Sequence, residues 1–186
     1  MQLDPVSGWC EGVCHCPSPN FNERPSGEIS LLVIHNISLP PGQFATGKVQ
    51  AFFQNRLDIS EHPYFEGISA LRVSAHFLIE RDGQITQFVS CLDRAWHAGV
   101  SSFEGREVCN DFSLGIELEG TDDLPFTEAQ YQALINLTLQ LQAAYPAITT
   151  HRICGHSDVA PGRKTDPGPA FDWVRFRSAL QHTGEM

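Results

Sequence analysis

The 186-residue chain is 41% hydrophobic and 18% charged, which supplies enough apolar material for one packed core and argues against disorder. Its 12 Lys and Arg against 22 Asp and Glu leave a formal charge of −10, which repels phosphate backbones and anionic lipid. Roles on nucleic acid or at a membrane surface are therefore not expected, and no apolar run approaches the roughly 18 residues needed to cross a bilayer.

The N-terminal stretch MQLDPVSGWCEGV has neither a basic segment nor an apolar core of the secretory type. The six cysteines, at 10, 14, 16, 91, 109 and 154, are accordingly expected as reduced thiols in a cytoplasmic protein. Cys10, Cys14 and Cys16 resemble half of a zinc knuckle, but no second half follows, and a closed zinc site needs four ligands.

Residues 1–28, rich in Pro, Gly, Ser and Cys, are expected as an irregular arm over a single domain spanning 1–186. Residues 29–34 (ISLLVI) form a near-continuous apolar run, the pattern of a strand buried on both faces, with His35-Asn36 emerging at its end. Pro40-Pro41-Gly42 breaks into a loop, residues 48–56 suggest a short helix, and residues 60–67 a loop. Residues 75–80 and 85–89 predict a hairpin across Asp82-Gly83. Residues 114–119 alternate, with Leu114, Ile116 and Leu118 on one face and Gly115, Glu117 and Glu119 on the other.

The clearest helix is 128–144, opened by a Thr127/Gln130 capping box and ended by Pro146. A short strand is expected over 148–154, a loop over 161–169 and a last helix from Asp172 to Leu180. Interleaved strands and helices with one hairpin predict an α/β fold, a mixed central β-sheet with helices packed on its faces.

His35, His156 and Asp166 lie at ends of these elements. Two imidazoles and a carboxylate give zinc three protein ligands and leave a fourth position open, the arrangement suited to amide hydrolysis. Spacing alone leaves this one pairing among the many that eight histidines allow. Glu117 has two readings, a rigidly anchored general base or one residue of a solvated face. Lys164, two positions before Asp166, is either an oxyanion-stabilising charge or an exposed loop lysine. His97, in Trp96-His97-Ala98-Gly99, suits a site wall, and His76 a hydrogen-bonded core position. His15, His62, His151 and His182 carry no supporting context and are expected at the surface or as caps.

Taken in order, His35-Asn36, Ser74-Ala75-His76-Phe77, Trp96-His97-Ala98-Gly99, Gly115-Ile116-Glu117-Leu118-Glu119-Gly120, and Gly155-His156 followed by Arg163-Lys164-Thr165-Asp166-Pro167-Gly168-Pro169 form an ordered motif set. The chain resembles the zinc-dependent N-acetylmuramoyl-L-alanine amidases, which share their fold with peptidoglycan recognition proteins. The resemblance runs from Pro17 to about Leu180 and is strongest to the cytoplasmic branch acting on 1,6-anhydro-muropeptides. It implies zinc on His35, His156 and Asp166, Glu117 as the catalytic carboxylate and Lys164 at the oxyanion. It also implies that Asn36, Tyr64, Arg72, Trp96, His97 and Arg163 surround the muropeptide, the two arginines facing stem-peptide carboxylates. Val108 departs from the pattern, standing where some relatives carry an arginine.

The expected activity is hydrolysis of the amide between the lactyl group of 1,6-anhydro-N-acetylmuramic acid and L-alanine. A monomer acting on a small muropeptide is expected, with residues 40–67 gating the site. The competing readings are a phage-type or exported amidase acting on intact wall, a non-catalytic muropeptide-binding module, and a structural zinc protein.

Overall fold

The computed structural model describes residues 1–182, the side chain of residue 182 excepted, so His182 lies outside the described side chains. Six strands make the main sheet: β1 (Cys14–His15), β2 (Leu31–Ile37), β3 (Phe77–Ile79), β4 (Ile85–Gln87), β5 (Ser113–Glu119) and β6 (Ile153–Gly155). Their spatial order is β6-β2-β5-β3-β4-β1. Neighbours run parallel except for β3 and β4, which form the expected antiparallel hairpin. Gly83 turns that hairpin at φ +87°, a conformation that side chains disfavour.

Five α-helices accompany the sheet among the described residues: α1 (Lys48–Phe53), α2 (Pro63–Glu66), α3 (Glu128–Ala144), α4 (His156–Val159) and α5 (Trp173–His182). The mixed α/β architecture expected from the sequence is the one observed. Thr127 Oγ1 accepts from the Gln130 N–H and Gln130 Oε1 from the Thr127 N–H, each at 3.1 Å, so α3 starts where its capping box predicts. Asp172 Oδ1 accepts from the Arg175 N–H at 2.9 Å and caps α5. None of these helices is long and apolar enough to cross a membrane.

On one face of the sheet, Leu32, Ile34, Leu114, Ile116 and Leu118 pack against Leu134, Leu137 and Leu141 of α3 and Phe176 of α5. Each such side chain contributes about 1.5–3 kcal/mol by leaving water. On the opposite face, Leu31 and Val33 meet Ala98, Phe112 and Val159, while Phe52, Phe53 and Phe65 meet Leu78 and Phe88. β2 is thus covered on both sides, as its unbroken apolar run requires.

β5 behaves differently from its alternating pattern. All seven residues are buried, including Glu117 and Glu119: the His97 ring lies against Gly115, and the loops at Ala45 and Arg81 reach Glu119. Glu119 has a structural task there, accepting from the Ala45 N–H at 2.7 Å and the Arg81 N–H at 3.3 Å. Glu117 has none, and its Oε2 is buried without a hydrogen-bond partner.

The first 28 residues are more ordered than composition suggests. Gln2–Leu3 pairs with Cys10–Glu11, Phe21–Asn22 with Arg94–Ala95, and β1 extends the main sheet beyond β4. Arg24 pins this arm from inside, donating to Ser113 O at 2.8 Å and Asn110 O at 3.1 Å. Residues 60–67, expected as loop, carry the end of a 3-10 turn (Ile59–Glu61) and α2, whose start is set by His62 Nδ1 accepting from the Tyr64 N–H and by Pro63 at the first helical position. The strand expected over 148–154 contracts to β6, because Thr150–Arg152 forms a 3-10 turn. All six cysteines are free thiols, and burial pushes Cys154 up to about 12.

Candidate active site

Parallel pairing assembles the site from distant parts of the chain. In the β2–β5 register Glu117 sits opposite His35, and in the β2–β6 register Gly155 sits opposite Ile34. His35 near the end of β2, Glu117 on β5 and His156 at the start of α4 therefore gather at the same end of the sheet. Asp166 arrives on the 161–169 loop, held by a bond from the Ser157 N–H to its carbonyl at 2.9 Å. Asn36 Nδ2 ties the same loop down through Pro167 O at 3.0 Å and also donates to Asp122 Oδ1 at 2.7 Å.

Three atoms converge there. His35 Nδ1 lies 2.9 Å from His156 Nδ1 and 3.2 Å from Asp166 Oδ2, and His156 Nδ1 lies 3.1 Å from Asp166 Oδ2. Tetrahedral zinc with ligands at about 2.0–2.1 Å spaces them about 3.3 Å apart, so the triangle accepts such an ion with small adjustment. The donor set also fits, being two neutral nitrogens and one carboxylate. No other group of three such side chains able to hold a metal occurs among the described residues, the Cys10, Cys14 and Cys16 cluster included.

The bonds behind the ligands set their orientation. His156 Nε2 donates to Ala98 O at 3.1 Å, which leaves Nδ1 bare toward the triangle. His35 Nε2 lies 2.9 Å from His97 Nδ1, and His97 Nε2 lies 3.1 Å from Ser113 Oγ.

The electrostatics follow from burial. Burial pushes His35 down to about 4, with the Asp166 hydrogen bond opposing and His156 adding to the fall. Burial works to raise Asp166, but bonds from the two imidazoles outweigh it and hold the carboxyl well below its usual range. Burial, with the Asp166 charge behind it, drives Glu117 well above the ordinary carboxyl range, and Lys164 opposes that rise. A dication at the triangle would offset the Asp166 charge and favour Glu117 as a carboxylate.

A cavity of about 400 Å³ opens over these groups. The triad, Glu117 and Lys164 line it, and Leu39, Phe52, Ile68, Leu71 and Trp96 supply apolar wall. Asn36, Tyr64 and His97 also line it, so the structure brings these expected substrate residues to the cavity. Trp96 is fixed from behind, its Nε1 donating to Asn22 Oδ1 at 2.6 Å.

The two arginines are not brought there. Arg72 is exposed and folds onto its own chain, donating to Ser69 O at 3.0 Å and Leu71 O at 3.1 Å. Arg163 braces the turn after His97, donating to Ala98 O and Val100 O at 2.7 Å each. It borders a neighbouring surface depression that also holds Val108. His76 is a core histidine as expected, with Nδ1 accepting from the Gly115 N–H at 3.0 Å and Nε2 donating to Asp93 O at 3.1 Å.

Sequence reasoning missed Asp122, Ser113 and the Ala98 carbonyl. Only Gly115 gave a signal, as a glycine inside an apolar strand. Residues 40–67, expected to gate the site, are anchored by their own Val49, Phe52, Phe53 and Phe65, which are buried in the core.

Residues 25–169 match the family model described as N-acetylmuramoyl-L-alanine amidase. The 1,6-anhydro-N-acetylmuramyl-L-alanine amidase AmpD of Citrobacter freundii is 58% identical over 181 residues, covering 97% of this chain and 95% of that protein. The crystal structure of a selenomethionine AmpD derivative superposes with a TM-score of 0.93 at 56% identity, covering 97% of this chain and 99% of that one. A more distant structure is AmiD of E. coli in complex with anhydro-N-acetylmuramic acid-L-Ala-D-gamma-Glu-L-Lys, with a TM-score of 0.60 at 31% identity, covering 81% of this chain and 57% of that one. The sheet, the cavity and the match over most of its length agree: the chain belongs to the N-acetylmuramoyl-L-alanine amidase family.

Proposed function

We propose that the protein is a cytoplasmic zinc amidase of peptidoglycan recycling, cleaving the amide between 1,6-anhydro-N-acetylmuramic acid and L-alanine. The observation that carries this reading is the convergence of His35 Nδ1, His156 Nδ1 and Asp166 Oδ2 beside a buried Glu117 carboxyl that bonds to nothing in the protein. A structural metal site has no use for such a carboxyl, and a binding module has no use for the pair. The similarity to AmpD over nearly the whole chain supports the substrate.

His35, His156 and Asp166 would hold the zinc, which when bound acidifies water and polarises a carbonyl. Glu117 takes the proton from the attacking water and passes it to the departing alanine nitrogen. Its seat on the central strand keeps that transfer path short and fixed. Lys164 presents positive charge to the oxygen on which negative charge develops. The apolar wall with Trp96 excludes bulk water, and Asn36 and Tyr64 face the substrate.

The test is hydrolysis of purified 1,6-anhydro-N-acetylmuramyl-tripeptide followed by mass spectrometry, before and after metal stripping and zinc return. Free tripeptide should appear, vanish on stripping and return with zinc. Tight binding without cleavage at full zinc occupancy would make the protein a receptor, and cleavage of whole sacculi in preference to the soluble substrate would make it a wall-degrading amidase.

A further inference from the structure

A ligand imidazole that binds through Nδ1 must carry its single N–H on Nε2. For His156 this is settled by a group that can only accept, the Ala98 carbonyl. His35 has no such partner. Its Nε2 faces His97 Nδ1, an atom that accepts or donates according to the tautomer of its own ring. The other nitrogen of that ring faces the Ser113 hydroxyl, which is equally able to play either part.

Only two arrangements of the chain are self-consistent. In one, His97 Nε2–H donates to Ser113 Oγ, His35 Nε2–H donates to His97 Nδ1, and His35 Nδ1 is left bare toward Asp166 and His156. In the other, every bond is reversed, and His35 carries its N–H on Nδ1, aimed at Asp166 Oδ2, where it blocks coordination.

We propose that His97 and Ser113 are positioning residues that hold His35 in its metal-binding tautomer and orientation. This rests on the metal-site reading above. The packing supports a fixed ring rather than a substrate contact free to move. His97 stands nearly perpendicular to His35 at 87° and packs edge-on to His76, with centroids 5.1 and 5.7 Å away. It also occupies the space left by the absent side chain of Gly115. The resemblance places His97 among substrate residues; the geometry assigns it to the metal ligand behind the substrate. Outer partners of this kind typically set metal affinity within about 10–100-fold.

The experiment uses the full chain and zinc or cobalt alone as probe. Zinc affinity by chelator competition should fall roughly 10–100-fold in His97→Phe, which keeps an aromatic ring and loses the acceptor. His97→Gln should recover much of it, because an amide oxygen accepts from His35 Nε2–H. The cobalt-substituted protein should show a d–d spectrum altered in His97→Phe and restored in His97→Gln. Should His97→Phe fail to fold, nitrogen-15 shifts of the zinc-loaded wild type decide, with the N–H expected on Nε2 of both His35 and His97. An N–H on Nδ1 of His97 in that state would overturn the proposal. So would unchanged zinc affinity in His97→Phe with only KM raised, the pattern of a substrate contact. These readouts need no turnover, so they are separate from failure of the amidase reading, which shows as absent cleavage by a zinc-loaded wild type.

Discussion

The ring of His97 fills the space that a side chain on Gly115 would need: a Cβ built there lies 2.6 Å from both Cγ and Nδ1 of the imidazole. Gly115→Ala must therefore displace a ring already wedged between His35 and His76, or bend β5. Overpacking of this kind costs about 1–3 kcal/mol. Chemical denaturation should register that loss, with zinc affinity falling alongside because His35 loses its partner. An unchanged affinity would show slack in the His97 site.

Glu117 and Lys164 should separate chemistry from metal binding. Glu117→Gln is expected to lower kcat by roughly 10²–10⁴ while metal analysis still finds one zinc per chain. Lys164→Met should lower kcat by roughly 10² with zinc content intact. Loss of metal from either variant would place that residue among the ligands instead.

Zinc should stabilise the folded chain. At a hundredfold excess over Kd the increment is about 2.7 kcal/mol, read as a rise in Tm when zinc is returned to the stripped protein. Asp166→Asn removes the anionic ligand and should shrink the increment. A full zinc-dependent rise in that variant would locate the ion elsewhere.

Arg163 holds the carbonyl of Ala98, the same oxygen that accepts from His156 Nε2. Arg163→Ala should therefore weaken zinc binding, by less than tenfold, because the turn keeps its other contacts. Chelator competition measures this directly. A rise in KM at unchanged zinc affinity would return the guanidinium to the stem peptide. Arg72→Ala should leave zinc affinity as it is.

The buried histidines should cost the metal-free protein stability as pH falls below neutrality, against an opposing contribution from the raised Glu117 carboxyl. Burial, aided by the Arg24 charge, lowers His76 from 6.5 to about 3 in the folded state, and burial takes His35 to about 4. The unfolded chain takes up these protons from about pH 6.5 downward and the folded chain does not. The stability they contribute is thus present above pH 6.5 and lost progressively down to about pH 3. Urea unfolding at pH 7 and pH 5 should show the difference, and His76→Gln should flatten it. An equal slope in the variant would remove His76 from the account.

The local elements were readable because their signals are local. The Thr127/Gln130 box sets the start of α3, Asp82-Gly83 turns the hairpin, and the run from Leu31 to Ile34 makes a doubly buried strand. The arm and the covered face of β5 were misread because their contact partners lie far along the chain, whereas α2 and the Thr150–Arg152 turn are set locally. The arm became ordered because sheet edges at Ile85–Gln87 and Arg94–Ala95 offered it backbone partners.

The candidate site divides in the same way. By itself the sequence determined which side chains could do metal and acid–base chemistry, and their ordered motifs marked the family. Only the tertiary structure decided which of them meet. Parallel pairing sets Glu117 beside His35, and pairing register is a property of the whole sheet that neither strand specifies alone. The same holds for the split between Glu117 and Glu119. Both sit on one face of one strand, yet a loop and a turn supply backbone donors to the second and leave the first without a partner. Whether a buried carboxyl is an anchor or a reactive group depends on hydrogen bonds from outside its own strand, and those exist only once the chain has folded.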